Sequence, residues 1–153
     1  MDYYSLISKS YNKLYKEEQL EKLKIIKQNI KEKYPVLDLG CANLLSKKFF
    51  PKIIGIDPAF KLLKRYSICA KAEHLPFKAK SFKTIICVTS IHHFNLKIAI
   101  EEIKRVSDNA AVIITILKKS KEFNRIKNVV KENFNVKEID HKKDLILITK
   151  SEL

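Results

Sequence analysis

The sequence predicts an α/β fold, with a doubly wound, mostly parallel sheet of about seven strands that ends in an antiparallel hairpin. Short apolar runs alternate with segments of helical periodicity along the chain, which is typical of strand–helix–strand units. A length of 153 residues with 46% hydrophobic content suffices for one core. Two apolar runs near the C-terminus are separated by a short polar segment, which favours an antiparallel pair. With helices on both faces, the predicted sheet is Rossmann-like.

The first half of the chain is predicted to begin with an amphipathic helix over residues 17–33, because apolar residues recur there at helical spacing. Pro35 ends this helix, since a proline disfavours helical backbone at the residue before it. Pro58 suits the first turn of another helix. The elements predicted up to residue 70 are a strand at 36–39, a short helix at 44–50, a strand at 53–56, a helix at 58–66 and a strand at 67–70.

The second half repeats the alternation. The predicted elements are a strand at 84–89, a helix marked by Leu96, Ala99, Ile100 and Ile103, a strand at 110–117, a helix carrying Phe123, Ile126, Val130 and Phe134, and strands near 136–139 and 145–149. We predict a single domain over residues 1–153, with an N-terminal helical cap at 1–33 and a sheet core at 34–153.

The chain is strongly basic, with 31 Lys and Arg against 17 Asp and Glu and a net charge of +14. Two interpretations stay open: a polyanionic partner such as RNA, or the Lys-, Glu- and Ile-rich composition seen in hyperthermophiles. The composition is favoured, because the lysines are spread along the whole chain. Moreover, only Arg65, Arg105 and Arg125 offer the bidentate geometry that suits phosphate and bases.

The sequence also predicts several absences. Apolar runs are too short to cross a bilayer, and the N-terminus shows no basic region followed by an apolar stretch, so we expect a cytoplasmic protein and no membrane partner. Cys41, Cys69 and Cys87 are odd in number and form no Cys-x-x-Cys pair. We therefore expect neither a disulfide framework nor a metal site.

Acidic residues lie at the carboxyl ends of the first two predicted strands. In open α/β sheets ligands bind at the carboxyl ends of the strands, and Asp38 and Asp57 lie at two such ends, 19 positions apart. A carboxylate about 20 residues beyond the first strand commonly accepts hydrogen bonds from ribose hydroxyls. The two glycines of the chain, Gly40 and Gly55, fall in the same regions, where the backbone needs freedom.

Further motifs accompany these acids in a fixed order: VLDLGC at 36–41, IGIDP at 54–58, AEHLPF at 72–77, SFKTII at 81–86 and IHHF at 91–94, followed by residues 99–106. Together they resemble class I S-adenosylmethionine-dependent methyltransferases, most closely the small "type 11" group, over residues 34–118. Residues 10–15 are similar to the N-terminal helix that caps the cofactor in that group.

This resemblance implies S-adenosyl-L-methionine as the cofactor and methyl transfer by in-line displacement, with a small molecule or tRNA as acceptor. It implies that Asp38 and the backbone around Gly40 and Cys41 hold the methionine part, and that Asp57 binds the ribose. The other implied contacts are the adenine border at Ala72 and Glu73, the floor of the reaction centre at Thr89 and Ser90, and Tyr11 and Tyr15, which close over the cofactor.

His92 and His93 are the catalytic candidates. The resemblance puts them just after the fourth strand, beside the transferable methyl, where a neutral imidazole can accept a proton from a nucleophile. The alternative is that one histidine shapes the loop and the other is solvated. The Ile-His-His run is also similar to wobble-uridine tRNA methyltransferases.

The first loop departs from the family pattern. Gly40-Cys41-Ala42-Asn43-Leu44 lacks the second and third glycines of the usual Gly-x-Gly-x-Gly. Asn43 and Asn109 stand near positions where relatives have glycine, and asparagine tolerates the left-handed backbone. The eroded loop motivates the alternative of a non-catalytic methyltransferase-like binding or scaffold subunit, with RNA binding as a further option. A partner protein could also complete the specificity.

Overall fold

The structure, a computed structural model, describes residues 3–59 and 65–150, and side chains from residue 12 onward. Within this part, seven strands form one sheet with the order β3-β2-β1-β4-β5-β7-β6. The elements in chain order are α1 (Tyr3–Asn29), β1 (Val36–Leu39), β2 (Ile53–Asp57), β3 (Ser67–Cys69), β4 (Phe82–Cys87), α2 (Leu96–Val106), β5 (Ser107–Leu117), α3 (Phe123–Asn133), β6 (Val136–His141) and β7 (Asp144–Thr149). Two short 3-10 helices, Leu45–Lys48 and Ile91–His93, lie between strands.

The pairing confirms the predicted fold class. Strands β3, β2, β1, β4 and β5 run parallel, and β7 pairs antiparallel with both β5 and β6. Because β1 lies between β2 and β4, the strand order reverses beside β1. The carboxyl ends of these three strands therefore border the crevice where doubly wound sheets bind ligands.

Both faces of the sheet are covered by apolar side chains. On one face, residues of β4 such as Ile85 pack with Ile100 of α2 and Ile126 of α3. On the other, Ile86 belongs to a second cluster with Leu23 and Ile26 of α1. Alternation along β4 thus sends neighbouring residues to opposite cores, as the period of two requires.

The first helix differs from its predicted bounds. It begins far earlier, at Tyr3, and ends at Asn29 rather than at residue 33. Residues 3–16 contain no helix breaker, and residues 12–17 are exposed, whereas the apolar stripe is confined to the part that packs on the sheet. The chain leaves the helix early because the Lys33 N–H and C=O both bond the Thr84 hydroxyl on β4, at 3.1 and 2.8 Å.

Several other predicted bounds were also wrong in detail. The short helix predicted at 44–50 is a 3-10 turn, and β4 lies two residues earlier than predicted, so that Thr89 falls beyond the strand. Strand β5 begins at Ser107, before an irregularity in its pairing with β4. Residues 60–64 of the helix predicted at 58–66 lie outside the described residues, and residues 65–66 form a turn. No helix among the described residues is long and apolar enough to span a membrane.

Candidate functional site

A cavity of about 210 Å³ opens at the carboxyl ends of β1, β2 and β4, with α1 as one wall. It brings together eight residues that the sequence predicted for the site: Tyr15, Asp38, Gly40, Cys41, Asp57, Thr89, Ser90 and His93. It is also lined by Ala42 and Asn43 of the predicted cofactor loop, and by five residues that sequence reasoning missed: Gln19, Leu23, Leu45, Ser46 and Val88.

Asp57 is the last residue of β2, and its carboxylate accepts hydrogen bonds from the backbone on either side of it in the chain. Its Oδ2 accepts a hydrogen bond from the Ala42 N–H at 2.9 Å, and its Oδ1 accepts one from the Ala59 N–H at 2.8 Å. A carboxylate has about four lone-pair sites, so both oxygens keep capacity for hydroxyl donors. The two backbone bonds orient the carboxylate and leave it able to bind a ribose.

The glycine-poor loop after β1 forms a closed turn. The N–H groups of Gly40 and Cys41 both donate to the Ile56 carbonyl at 2.9 Å. Gly40 has a φ of 72°, and a Cβ there would lie 2.6 Å from Ser90 Cβ, so no other residue fits. A Cβ at Gly55 would lie 2.6 Å from Cys41 Sγ, so that glycine permits close packing of β2 against the loop.

The expectation that Asn43 stands in for a missing glycine was wrong. Apart from Gly40, the residues of this loop with a left-handed backbone are Ala42, with a φ of 44°, and Leu44, with a φ of 58°. Asn109, in contrast, does adopt a left-handed φ of 48°. The Leu44 side chain is buried and its N–H donates to the Cys41 carbonyl at 2.7 Å. Burial and this hydrogen bond offset a left-handed conformation that costs about 1–2 kcal/mol.

Asp38, near the end of β1, is a buried carboxylate with an unusual pKa. The pKa of Asp38 is raised to about 7, mainly by burial and to a smaller extent by the charge of nearby Asp57, while a hydrogen bond from the Ser46 hydroxyl acts in the opposite direction. Burial also raises the pKa of the Cys41 thiol to about 12. A bound cation would favour the ionised form of Asp38, because opposite charges stabilise each other.

The charges of the cavity contrast with those of the chain. Asp38 and Asp57 contribute two carboxylates, and none of the described residues that line the cavity is a lysine or an arginine. The whole chain nevertheless carries a net charge of +14. The cavity is therefore complementary to a cationic ligand, whereas the remaining surface is basic.

Helix α1 contributes a polar wall opposite the acids. Gln19 Nε2 donates to the Tyr15 hydroxyl at 2.7 Å, and Gln19 Oε1 lies 3.4 Å from Thr89 Oγ1. Ser90 Oγ donates to the Leu39 carbonyl at 2.8 Å, which joins the end of β4 to β1. Tyr11 lies on α1 one turn before Tyr15, and its side chain is outside the described residues.

The two adjacent histidines occupy different environments. His92 Nε2 accepts a hydrogen bond from the Leu117 N–H at 3.0 Å, so this nitrogen is occupied by the end of β5. Burial, followed by the neighbouring His93, lowers the pKa of His92. His93 is exposed and lines the cavity. Of the two catalytic candidates, His93 therefore has access to a ligand.

Two predicted contacts lie away from the cavity. Ala72 is buried in the core beneath α2, and Glu73 Oε1 accepts a hydrogen bond from the Asn95 N–H at 2.7 Å, just before α2 begins. A role for them at the adenine stays a prediction. Among residues 3–59 and 65–150, no group of three or more His, Cys, Asp or Glu side chains could hold a metal ion.

Some of the missed residues had a recognisable signal. Gln19 and Lys22 interrupt the buried stripe of α1, at helical spacing from Leu23 and Ile26, and both are buried. Polar side chains at core positions of an amphipathic helix indicate polar partners inside the protein. Ser46 is a further buried polar residue, in the turn Leu45–Lys48, and the sequence of that turn carries no such signal.

The fold and the site define an α/β protein with an acidic crevice at the switch point of its sheet. The sequence profile of the methyltransferase domain family matches residues 37–115, and the chain belongs to this family. Membership implies S-adenosyl-L-methionine as the cofactor. The acids, the loop and the carboxyl strand ends fit such a group by their charge and position.

Two proteins of one archaeon are similar to most of this chain. Two uncharacterized proteins of Methanocaldococcus jannaschii are 35% identical over 144 residues and 33% identical over 121 residues, covering 87% and 73% of this chain. The matches cover 57% and 51% of those proteins, so the chain spans about half the length of the curated relatives it matches.

Solved structures share the fold at low sequence identity. A S-adenosylmethionine-dependent methyltransferase from Thermotoga maritima, described as a possible histamine N-methyltransferase, has a TM-score of 0.69 and 13% identity, with 95% of this chain and 96% of that chain covered. A Pyrococcus horikoshii protein has a TM-score of 0.69 and 16% identity, with 88% and 89% covered.

Proposed function

We propose that this chain is an S-adenosylmethionine-dependent methyltransferase that transfers a methyl group by in-line displacement to a small molecule or tRNA. One observation carries the proposal: the cavity at the switch point of a basic protein is lined by Asp38 and Asp57 and, among the described residues, by no lysine or arginine. S-adenosylmethionine has an ammonium and a sulfonium group, which such a cavity would attract, and a ribose, which suits a carboxylate.

The residues around the cavity divide the binding between them. Asp57 would accept hydrogen bonds from the ribose hydroxyls, and Asp38 together with the backbone at Gly40 and Cys41 would hold the methionine part. Tyr15, on the exposed side of α1, would cover the ligand and limit water. These roles are supported by the positions of the residues at the cavity and by the acceptor capacity of the two carboxylates.

When bound, S-adenosylmethionine supplies a methyl group on a positively charged sulfur, which is already a strong electrophile. The protein therefore needs mainly to align the acceptor and to exclude water, and alignment alone can contribute several orders of magnitude in rate. His93 would accept the proton that the acceptor group loses, because it lines the cavity, whereas the Nε2 of His92 is occupied.

A non-catalytic binding or scaffold subunit is the second candidate, and the left-handed Ala42 and Leu44 in the cofactor loop favour it. A strained loop binds its ligand well only if the surrounding contacts hold it in place. In this chain the Asp57 carboxylate and the Ile56 carbonyl supply those contacts, which supports the enzyme over the scaffold.

Calorimetry of the intact chain with S-adenosylmethionine tests the proposal, followed by transfer of a labelled methyl group to fractionated cell extract. We expect binding, and label in either the small-molecule fraction or the tRNA fraction. No binding at millimolar cofactor would contradict the proposal. Binding without label in any fraction would favour the scaffold, and a steep salt dependence of tRNA affinity would favour RNA as the partner.

A further inference from the structure

Lys22 is a buried cation on the inner face of α1. It is 4% exposed, and its Nζ lies 2.9 Å from Asp144 Oδ2 at the start of β7. The same ammonium donates to the hydroxyl of Thr89, which lines the cavity. Lysine is rarely buried to this degree, and it needs partners when it is. Lys22 therefore connects the cap helix, the last strand and the floor of the cavity.

Thr89 has a backbone conformation that its side chain disfavours. Its φ is 53°, in the left-handed region, where a β-branched residue is a genuine outlier. Such a residue persists only where surrounding contacts over-determine it, and such residues cluster at functional sites. The left-handed φ of Thr89 therefore needs stabilising contacts, and its position at the cavity indicates a functional reason for it.

The support for Thr89 comes from side chains of other elements. Its N–H donates to Thr115 Oγ1 of β5 at 2.7 Å, and its own Oγ1 lies 3.1 Å from the same atom. The hydroxyl accepts a hydrogen bond from Lys22 and lies 3.4 Å from Gln19 Oε1. Both charged and neutral partners therefore hold this residue.

Stability alone is a weak reason for the Lys22–Asp144 pair. Buried ion pairs often contribute no more to stability than apolar residues of similar volume would. In addition, Asp144 Oδ1 is buried without a hydrogen-bond partner among the described residues, which makes this pair costly. A geometric role at Thr89 accounts for the pair better than a contribution to folding does.

We propose that Lys22 is a positioning residue: with its charge held by Asp144, it fixes Thr89 in the left-handed conformation and so shapes the cavity floor beneath α1. The inference rests on the proposed function, because it assigns Lys22 a part in forming the methyl-transfer site. It follows that docking of the cap helix and ordering of the floor are a single event.

Amide hydrogen exchange tests the positioning directly and without any ligand. In Lys22→Met we expect exchange at the Thr89 amide to rise by about tenfold, while the β4 amides of Ile85 and Ile86 stay protected. Thr115→Val, which removes the acceptor of the Thr89 amide, should give a similar local effect. Lys24→Met, at an exposed lysine on the same helix, should change neither.

Lys22→Met leaves the Asp144 charge buried and unpaired, which can prevent folding. The double variant Lys22→Met/Asp144→Asn removes both charges, and it should show the same local exchange at Thr89. Unchanged protection of Thr89 in this variant, or a uniform rise at all amides, would overturn the proposal, because Lys22 would then support only the fold.

Cofactor affinity supplies a second readout with its own control background. Lys22→Met/Asp144→Asn should weaken S-adenosylmethionine binding by about tenfold. In a Thr89→Gly background the same pair should weaken it by less than about twofold, because glycine adopts the left-handed backbone without support. Equal losses in both backgrounds would refute the role at Thr89. If the wild type binds no cofactor, the proposed function fails, and the exchange result still decides the role of Lys22.

Discussion

The two halves of the cavity are held together in different ways. In the half formed by β1 and β2, Asp57 bonds the amides of Ala42 and Ala59, 15 and 2 positions away, and Asp38 bonds Ser46, 8 positions away. In the half formed by β4 and α1, Thr89 contacts Lys22 and Gln19 across 67 and 70 positions. The acidic half is built by local turns of the chain, whereas the other half exists only when α1 is docked.

This difference indicates a division of labour. Carboxylates held by nearby backbone suit a ligand that every turnover requires, and long-range side-chain contacts can vary with the acceptor. We therefore expect substitutions in the acidic half to change mainly cofactor affinity. In the β4 and α1 half, substitution of a side chain that faces the acceptor, such as His93, should change mainly methyl transfer. Substitutions that release the backbone at Thr89 should also weaken cofactor binding.

The largest expected effect is on methyl transfer, from His93→Gln. Loss of a general base typically costs about 10²–10⁴-fold in rate, so transfer to the acceptor found by labelling should fall about 100-fold at saturating cofactor. Calorimetry should show little change in cofactor affinity. The matched control is His92→Gln, in which the new amide oxygen can still accept from the Leu117 N–H. Equal losses in the two variants would contradict the assignment of the base.

Asp57→Ala should produce the largest loss of cofactor affinity. A hydrogen bond to a charged group contributes about 1.5–3 kcal/mol, so the Kd should rise by roughly 10- to 100-fold. Asp108→Ala, at a surface carboxylate that pairs with Lys83, serves as the control and should leave the Kd unchanged. An unaltered Kd in Asp57→Ala would refute the ribose assignment and remove the basis for an acidic binding half.

The pH dependence of binding should report on Asp38. Its pKa is raised to about 7, so below that pH the carboxyl is protonated in the free protein and a cationic ligand must displace the proton. Cofactor affinity should therefore fall as pH falls below about 7, approaching tenfold per pH unit. Asp38→Asn, which has no carboxyl group to titrate at this position, is the matched control. Identical profiles for the two proteins would show that Asp38 does not meet the cation.

The raised pKa of Asp38 also makes the free energy of unfolding depend on pH. This dependence has the opposite sign to that of a salt-bridged acid, whose pKa is lowered by folding. A raised folded-state pKa means that the folded protein holds a proton that the unfolded chain has lost. This contribution is present below the unfolded pKa and disappears as pH rises through about 7. In urea titrations the free energy of unfolding of the wild type should therefore be lower at pH 8 than at pH 5. The free energy of unfolding of Asp38→Asn should not show this decline.

The smallest expected effect is that of Ser46→Ala on the pH dependence of cofactor affinity. The Ser46 hydroxyl lowers the pKa of Asp38, so its removal should move the midpoint of the affinity profile to higher pH. Affinity at the high-pH plateau should change little, because Asp38 is ionised there in both proteins. Ser81→Ala, which removes an exposed serine hydroxyl bonded to the Lys78 carbonyl, is the control. A midpoint that moves to lower pH would contradict the role of this hydrogen bond.

The sequence predicted the parts of the site that depend on neighbouring residues. Apolar runs and helical stripes located the seven strands and the three α-helices of residues 3–59 and 65–150, because burial and backbone period act within short windows. Asp38, Asp57 and Gly40 were found because they lie at or just beyond the carboxyl ends of strands, and these ends meet at one edge in this fold. Asn43 was assigned wrongly because propensity favours asparagine in left-handed turns, whereas burial of Leu44 decides this one.

What the amino-acid sequence determined by itself is the order of elements, the family and the acidic edge at the carboxyl ends of β1 and β2. What only the tertiary structure decided is the other side of the cavity. The choice of His93 over His92 depends on one hydrogen bond from Leu117, and the conformation of Thr89 depends on Lys22 and Thr115. These contacts join residues far apart in the chain, and their energies are realised only when the sheet, the cap helix and the C-terminal hairpin are packed together.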